Sequence, residues 1–160
     1  MSTKMRVKQR RGAVTAEFAL IAPVVLVFVL GLSEMGQALS GATRVSSAIR
    51  EGGRLASMDF SGKLEVGQTA NQKITQDILS FLGATGISTE NVSVEIVHAE
   101  GPQAGSYFDL TAEENYLKLF RIGVTVPYEN VSATPIQLMG GLSLSANTVF
   151  RRGRTPVVTE

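Results

Sequence analysis

Residues 12–36 read GAVTAEFALIAPVVLVFVLGLSEMG, and this stretch decides how the rest of the chain is organised. Within it, fifteen consecutive residues from Phe18 to Leu32 carry no polar side chain. A bilayer core about 30 Å thick requires roughly 20 helical residues to cross it. Residues 13–36 are long enough, provided that Glu17 and Glu34 lie near opposite interfaces. We therefore predict a membrane-spanning helix over this range.

The charges of the chain are distributed unevenly around this segment. The formal net charge is +1, yet ten of the 15 basic residues and all 14 acids follow Gly12, which gives that part a net charge of −4. A short basic run beside an apolar span holds the N-terminus in the cytoplasm, and the acidic remainder argues against nucleic-acid binding. We expect a basic leader over residues 1–12 and a single pass through the cytoplasmic membrane. The leader carries Lys4, Arg6, Lys8, Arg10 and Arg11.

The composition offers little for catalysis. The 160 residues include no cysteine, which excludes disulfides, thiolate metal sites and cysteine nucleophiles. The single histidine, His98, stands beside Glu100 at the end of a predicted strand, where we expect it to be exposed. No metal-binding or phosphate-binding motif occurs. The sequence therefore predicts a protein without enzymatic activity, cofactor, metal or small-molecule substrate.

The apolar segment has two fates that the residues themselves suggest. It can remain as an uncleaved anchor. It can also be a secretory signal peptide, cleaved near the small residues that surround Ser40. The second fate would release an exported soluble binding domain. Glu17 and Glu34 argue against it, because they interrupt the apolar region and precede the cleavage point.

A third fate follows from a resemblance carried by two motifs within residues 10–58. The first motif is RRGAVTAEFALIAPVVLVFVLGLSEMGQAL, and the second is AIREGGRLA at residues 48–56. Together they resemble the TadE-like family of minor pseudopilins of Tad (Flp-type) pili. The serines before Ala48 depart from the family pattern, which is richer in alanine and asparagine there, and Gly53 replaces a residue with higher helix propensity. The matching residues of the first motif are Arg11, Gly12, Glu17, Phe18, Ala19, Leu20, Pro23, Gly31, Glu34 and Gly36.

The resemblance implies processing by a prepilin peptidase between Gly12 and Ala13, which keeps the apolar helix on the mature protein. Glu17 then becomes the fifth residue, next to Phe18, and these two are the implied assembly residues. In pilin-like proteins this glutamate pairs with the α-amino group of a neighbouring subunit, which lowers the cost of a carboxylate in lipid. The alternative is that Glu17 merely lies at headgroup level.

The implied partners are the membrane, the prepilin peptidase, other pilin-like subunits and the pilus assembly machinery. The implied role is assistance in building an adhesive Tad-type pilus, with the C-terminal domain outside the cytoplasm. Such a protein either enters the fibre or only primes its assembly.

Beyond the membrane, the first helix is expected to continue over residues 37–58. Leu39, Ala42, Val45 and Ile49 recur near helical spacing. Two consecutive glycines at 52–53 cost roughly 1 kcal/mol each relative to alanine, so the helix is expected to bend or end there.

The remaining sequence predicts a small pilin-like α+β domain over residues 59–154. A second amphipathic helix is predicted from Gln68 to Leu82, with Gly83 as its stop. Alternating apolar residues predict three strands in an antiparallel meander. Arg151 to Arg154 and the tail over residues 155–160 are expected to be exposed and mobile. The three predicted strands are Val92–Val97, Leu119–Tyr128 and Leu142–Phe150.

Overall fold

The computed structural model describes residues 8–58, 60, 64–132 and 140–153. A long helix, α1, leads into a small domain made of a second helix and a three-stranded antiparallel sheet, which confirms the predicted α+β architecture. Short 3₁₀ turns at Glu113–Asn115 and Tyr128–Asn130 flank the central strand. The elements are α1 (Lys8–Ala56), α2 (Ala70–Ala84), β1 (Ser93–His98), β2 (Leu119–Pro127) and β3 (Ser143–Arg151).

Helix α1 is continuous over 49 residues, with Pro23 inside it. The helix does not end at Gly52 and Gly53, since it continues to Ala56, and both glycines approach the domain closely. A β-carbon at Gly52 would collide with Ile78 of α2, and one at Gly53 would collide with the ring of Phe150. Dense packing therefore offsets the low helix propensity of glycine at both positions.

Helix α2 begins with a capping box. The side chain of Thr69 accepts a hydrogen bond from the backbone N–H of Gln72, whose side chain accepts one from the backbone N–H of Thr69. These two bonds satisfy donors that the helix start would otherwise leave open. Gly83 does not stop the helix as predicted, since the helix continues to Ala84. The chain reverses beyond it, where Gly86 adopts a left-handed φ of +83°.

The sheet has the strand order β1-β2-β3 with both pairs antiparallel, which confirms the meander. The register aligns His98 with Phe120 and Phe120 with Phe150. These residues share the face that packs on the helices, and the alternate residues face solvent. The core thus lies between this face, α1 and α2. Its largest buried side chains are those of Tyr128, Phe108, Phe120, Ile49, Ile74, Ile78 and Leu82.

Strand β3 runs alongside α1 in the same direction. A β-carbon at Gly41 would meet Leu144 at the start of the strand, and one at Gly53 would meet Phe150 near its end. Helix α2 runs the opposite way, since Gly52 lies against Ile78 whereas Arg44 donates a hydrogen bond to the carbonyl of Thr85. The domain therefore packs along the second half of α1, and the first half projects from it.

Candidate assembly site on the projecting helix

In the projecting half of α1, residues 14–33, all side chains are exposed except those of Ala22 and Leu30, which are half-buried. Its large apolar residues other than the half-buried Leu30 are exposed by half or more, and the first buried residue among the described side chains of the helix is Glu34, at 2% exposure. About 20 helical residues span roughly 30 Å, which is the thickness of a bilayer core. Among the residues that the structure describes, α1 is the one helix long and apolar enough to cross a membrane.

The four residues predicted for processing and assembly lie on consecutive turns near the start of α1. Glu17 is exposed, and Phe18 is 71% exposed. Ala13 and Glu17 are four residues apart, so they lie one turn apart on the same side of the helix. A β-carbon at Gly12 would meet nothing within 4 Å. No described residue of the domain therefore lies against Gly12, Glu17 or Phe18.

The Glu17 carboxylate has no hydrogen bond or ion pair with any residue in the described part of the chain. A carboxylate on an otherwise apolar helix is costly in lipid unless it is paired or stays at the headgroup level. A cation presented by another molecule can reach it, because none of the described side chains of the domain covers it. Chemically, the site can accept an ammonium or guanidinium group.

A second carboxylate, Glu34, marks the point at which α1 meets the domain. The hydroxyl of Tyr128 lies 2.6 Å from Glu34 Oε2 and 2.9 Å from the Glu34 carbonyl oxygen. The hydroxyl of Ser132 lies 3.4 Å from Oε1. Because Glu34 and Tyr128 are both buried, each supplies the hydrogen bond that the other needs. This contact joins the start of the domain-packed half of α1 to the 3₁₀ turn after β2.

Sequence reasoning identified Glu34 only as a carboxylate near a membrane interface and as a motif residue. Its partner is 94 residues further along the chain, and no local pattern connects the two. Tyr128 was predicted to be the last residue of the second strand, which stops one residue earlier, at Pro127. The available signal was the carboxylate itself, which stands two residues after the apolar run and requires a donor if it is buried.

Burial raises the pKa of Tyr128 above its ordinary value, and the hydrogen bond and negative charge of Glu34 raise it further. A tyrosine ordinarily titrates near pH 10. Below that pH the phenol is protonated in both the folded and the unfolded protein, and its contribution to the free energy of unfolding does not change with pH. Above it the unfolded chain loses the proton first, so the free energy of unfolding falls by up to about 1.4 kcal/mol per pH unit.

We expect Tyr128→Phe to remove this alkaline loss. Urea unfolding of the detergent-solubilised protein at several pH values between 8 and 11 measures it. The stability difference between the wild type and the variant should be constant up to about pH 10 and should shrink above it. A difference that stays constant up to pH 11 would contradict the assignment.

His98 is buried, at 7% exposure, so its predicted exposure is wrong. Its ring packs edge-on against Phe108, with 4.7 Å between centroids. Alternation along β1 explains this, because Ile96 and His98 share the inner face of the sheet. The imidazole borders a groove of about 380 Å³ with Glu100 and Lys118. No group of three or more metal-ligating side chains occurs in the described residues.

Arg152 is also buried, at 2% exposure, which contradicts the expectation that Arg151 to Arg154 are all exposed. Its Nε donates to the carbonyl of Leu110 at 2.8 Å, and Nη1 donates to the carbonyl of Met58. The guanidinium carbon lies 5.2 Å from the ring centre of Phe60 and 5.4 Å from that of Tyr116. Arg154 and the predicted tail lie outside the described residues.

A comparison with protein families gives one match that bears on this helix. The model of the family described as TadE-like protein matches residues 12–54, which confirms the resemblance over that segment. The match starts at the predicted processing residue and ends two residues before α1 does. Helix α2 and the sheet lie outside the matched segment. No curated protein matches the chain, and no solved structure does. The match and the apolar helix fit a membrane protein associated with Tad pili.

Proposed function

We propose that this protein is a non-enzymatic, membrane-anchored pseudopilin that assists the assembly of a Tad-type adhesive pilus. A prepilin peptidase removes residues 1–12, and the apolar helix stays on the mature chain in the cytoplasmic membrane. The domain lies outside the cytoplasm. The helix then packs beside other pilin-like helices, and the domain provides lateral contacts.

The observation that carries this proposal is the Glu17 carboxylate on the projecting half of α1. It lies within the segment that matches the TadE-like family, one turn after Ala13, and no residue of the described domain covers it. Processing after Gly12 would create an α-amino group on each subunit. An ammonium group from a neighbouring subunit supplies the charge that Glu17 needs in an apolar layer.

The rival proposal, a soluble domain released by cleavage near Ser40, fits the geometry poorly. Ser40 lies in the middle of α1, next to Gly41, which packs on Val131 and Leu144. Cleavage there would remove Glu34 and would leave the buried hydroxyl of Tyr128 without this hydrogen-bond partner. A domain built to lose its signal peptide has no need of such a contact.

The proposal is tested by blocking the processing step. Because a side chain at Gly12 meets open space, Gly12→Leu should leave the fold of the chain intact. We expect the variant to accumulate in the membrane as the full-length precursor and to fail to restore pili in cells that lack the wild-type chain. Immunoblotting and electron microscopy measure both effects.

Val14→Leu is the matched control, since it alters a neighbouring side chain and keeps Gly12. It should be processed and should restore pili. Normal piliation by an unprocessed Gly12→Leu protein would contradict the proposed function.

A further inference from the structure

The two edges of the sheet differ in whether the outward backbone groups of the edge strand are hydrogen-bonded. The second half of the β1 edge, residues 96–98, is covered by its own chain, because His98 and Phe108 donate backbone hydrogen bonds to Ser106 and Ile96, and Tyr107 bridges to Val97. The other edge belongs to β3 and is nine residues long. An edge strand that is left open is a template for pairing with another chain.

The register shows which backbone groups of β3 are open. Tyr128 donates to the carbonyl of Leu142, so the even-numbered residues of β3 face β2 and the odd-numbered residues point their N–H and C=O groups outward. None of these outward groups has a hydrogen bond with any residue of the chain that the structure describes. The side chains of the odd-numbered residues are exposed as well. The outward residues are Ser143, Ser145, Asn147, Val149 and Arg151.

The edge also lacks the features that usually protect such strands. Between Ser143 and Arg151 there is no proline, no lysine and no interruption of the pairing with β2. Its one charged residue, Arg151, is at the end furthest from the membrane helix. The edge is therefore open to an incoming strand along most of its length.

A second copy of this chain is poorly placed to fill the edge. Because β3 runs in the same direction as α1, two copies in one membrane hold their β3 strands parallel to each other. An antiparallel pair of β3 edges would point the two membrane helices in opposite directions, and a parallel pair is slightly less stable per residue. In a second copy, residues 106–108 already cover residues 96–98 of the β1 edge and leave only its first three residues, and β2 is the central strand.

The charges beside the edge favour an acidic occupant. Strand β3 contains no acid, and Arg151 is exposed at its end. Arg50, which is also exposed, lies one turn before the Gly53 position on which Phe150 packs. Arginine beside an open strand attracts carboxylates and fixes the register of the incoming chain.

We propose that the outward edge of β3, from Ser143 to Arg151, docks an extended acidic segment of a different subunit, which adds a fourth strand to the sheet. This inference rests on the proposed function, since it names the partner surface of an assembly subunit. The added strand runs antiparallel to β3, towards the membrane. Backbone hydrogen bonds provide most of the affinity, and Arg50 and Arg151 select the partner.

The first test removes one outward donor. Asn147→Pro deletes an N–H that points away from β2 and spares the ladder within the sheet, a position at which an edge strand tolerates proline. We expect it to weaken docking about tenfold or more and to reduce piliation. Asn147→Ala keeps the N–H and should behave as the wild type. Normal piliation with Asn147→Pro, in a protein that is processed and present at wild-type level, would overturn the inference.

The second test identifies the occupant. The chain has no cysteine, so Ser145→Cys gives a single site for benzophenone maleimide. Irradiation of labelled full-length protein in piliated membranes should yield an adduct with an acidic segment of a different chain, and Asn147→Pro should abolish it. An adduct between two copies, an adduct that survives the proline, or no adduct would contradict the docking proposal.

The two proposals fail in different ways. If the docking inference is wrong but the proposed function is right, cells that lack the chain still lose their pili and Gly12→Leu still fails to restore them. If the proposed function is wrong, pili form without the chain, whatever occupies β3.

Discussion

Replacement of Glu17 by alanine is expected to abolish pilus assembly while the protein stays in the membrane. The carboxylate is exposed on the projecting half of α1 and has no partner in the described residues of its own chain. Its removal lowers the cost of membrane insertion, because a charged residue at the centre of a membrane helix costs roughly 2.5–3.5 kcal/mol. Insertion should therefore be unchanged or improved.

Pilus assembly, in contrast to membrane insertion, should be impaired. Breaking a buried ion pair costs about 3–5 kcal/mol, which corresponds to a reduction of more than 100-fold in the association constant. Counts of pili per cell by electron microscopy, together with the amount of processed protein in the membrane fraction, separate the two effects.

Glu17→Asp is the matched variant, since it keeps the charge on a shorter side chain and should retain part of the activity. Glu17→Gln keeps the size and removes the charge, and it should resemble the alanine variant. Pili at wild-type number with Glu17→Ala would refute the pairing of this glutamate with a neighbouring subunit.

Replacement of Arg152 by alanine is expected to give the largest loss of stability in the domain. The guanidinium group donates to the carbonyls of Leu110 and Met58 and lies between the rings of Phe60 and Tyr116. It thereby joins the segment after α1 to the segments on either side of Glu113. Hydrogen bonds to a charged group contribute about 1.5–3 kcal/mol each, so we expect a loss of roughly 3 kcal/mol or more.

Arg151→Ala is the control for this variant. Arg151 carries the same charge one residue earlier, but its side chain points to the other face of the sheet and is exposed. Its replacement should change the free energy of unfolding by less than about 0.5 kcal/mol. Urea unfolding of the two variants in detergent measures the difference, and equal losses would contradict the role assigned to Arg152.

The sequence predicted the elements that depend on a local pattern. An uninterrupted apolar run predicted the projecting half of α1, and alternating apolar residues predicted three strands whose ends differ from the observed ones by a residue or so. The meander followed because the strands are consecutive in the sequence, and consecutive strands usually pair. Each of these features depends on residues that are close together in the sequence.

The sequence did not reveal the features that depend on distant partners. Gly52 and Gly53 weaken an isolated helix, and only the positions of Ile78 and Phe150 show why the helix needs them. Glu34 meets Tyr128 across most of the chain. Such pairings follow from the tertiary packing.

His98 and Arg152 are a different case, because a local signal for their burial was present. Both continue the alternation of a strand by one step beyond its last apolar inward residue, Ile96 in β1 and Phe150 in β3. The strand period therefore placed both side chains on the inner face. Their polarity and their position at strand ends led to the opposite expectation.

The central claim is that the projecting helix is kept and that only the basic leader is removed. N-terminal sequencing of the mature protein from the membrane fraction tests this claim most directly. We expect a chain that begins at Ala13 and remains in the membrane. A chain that begins at Gly41 and is recovered in the soluble exported fraction would contradict it.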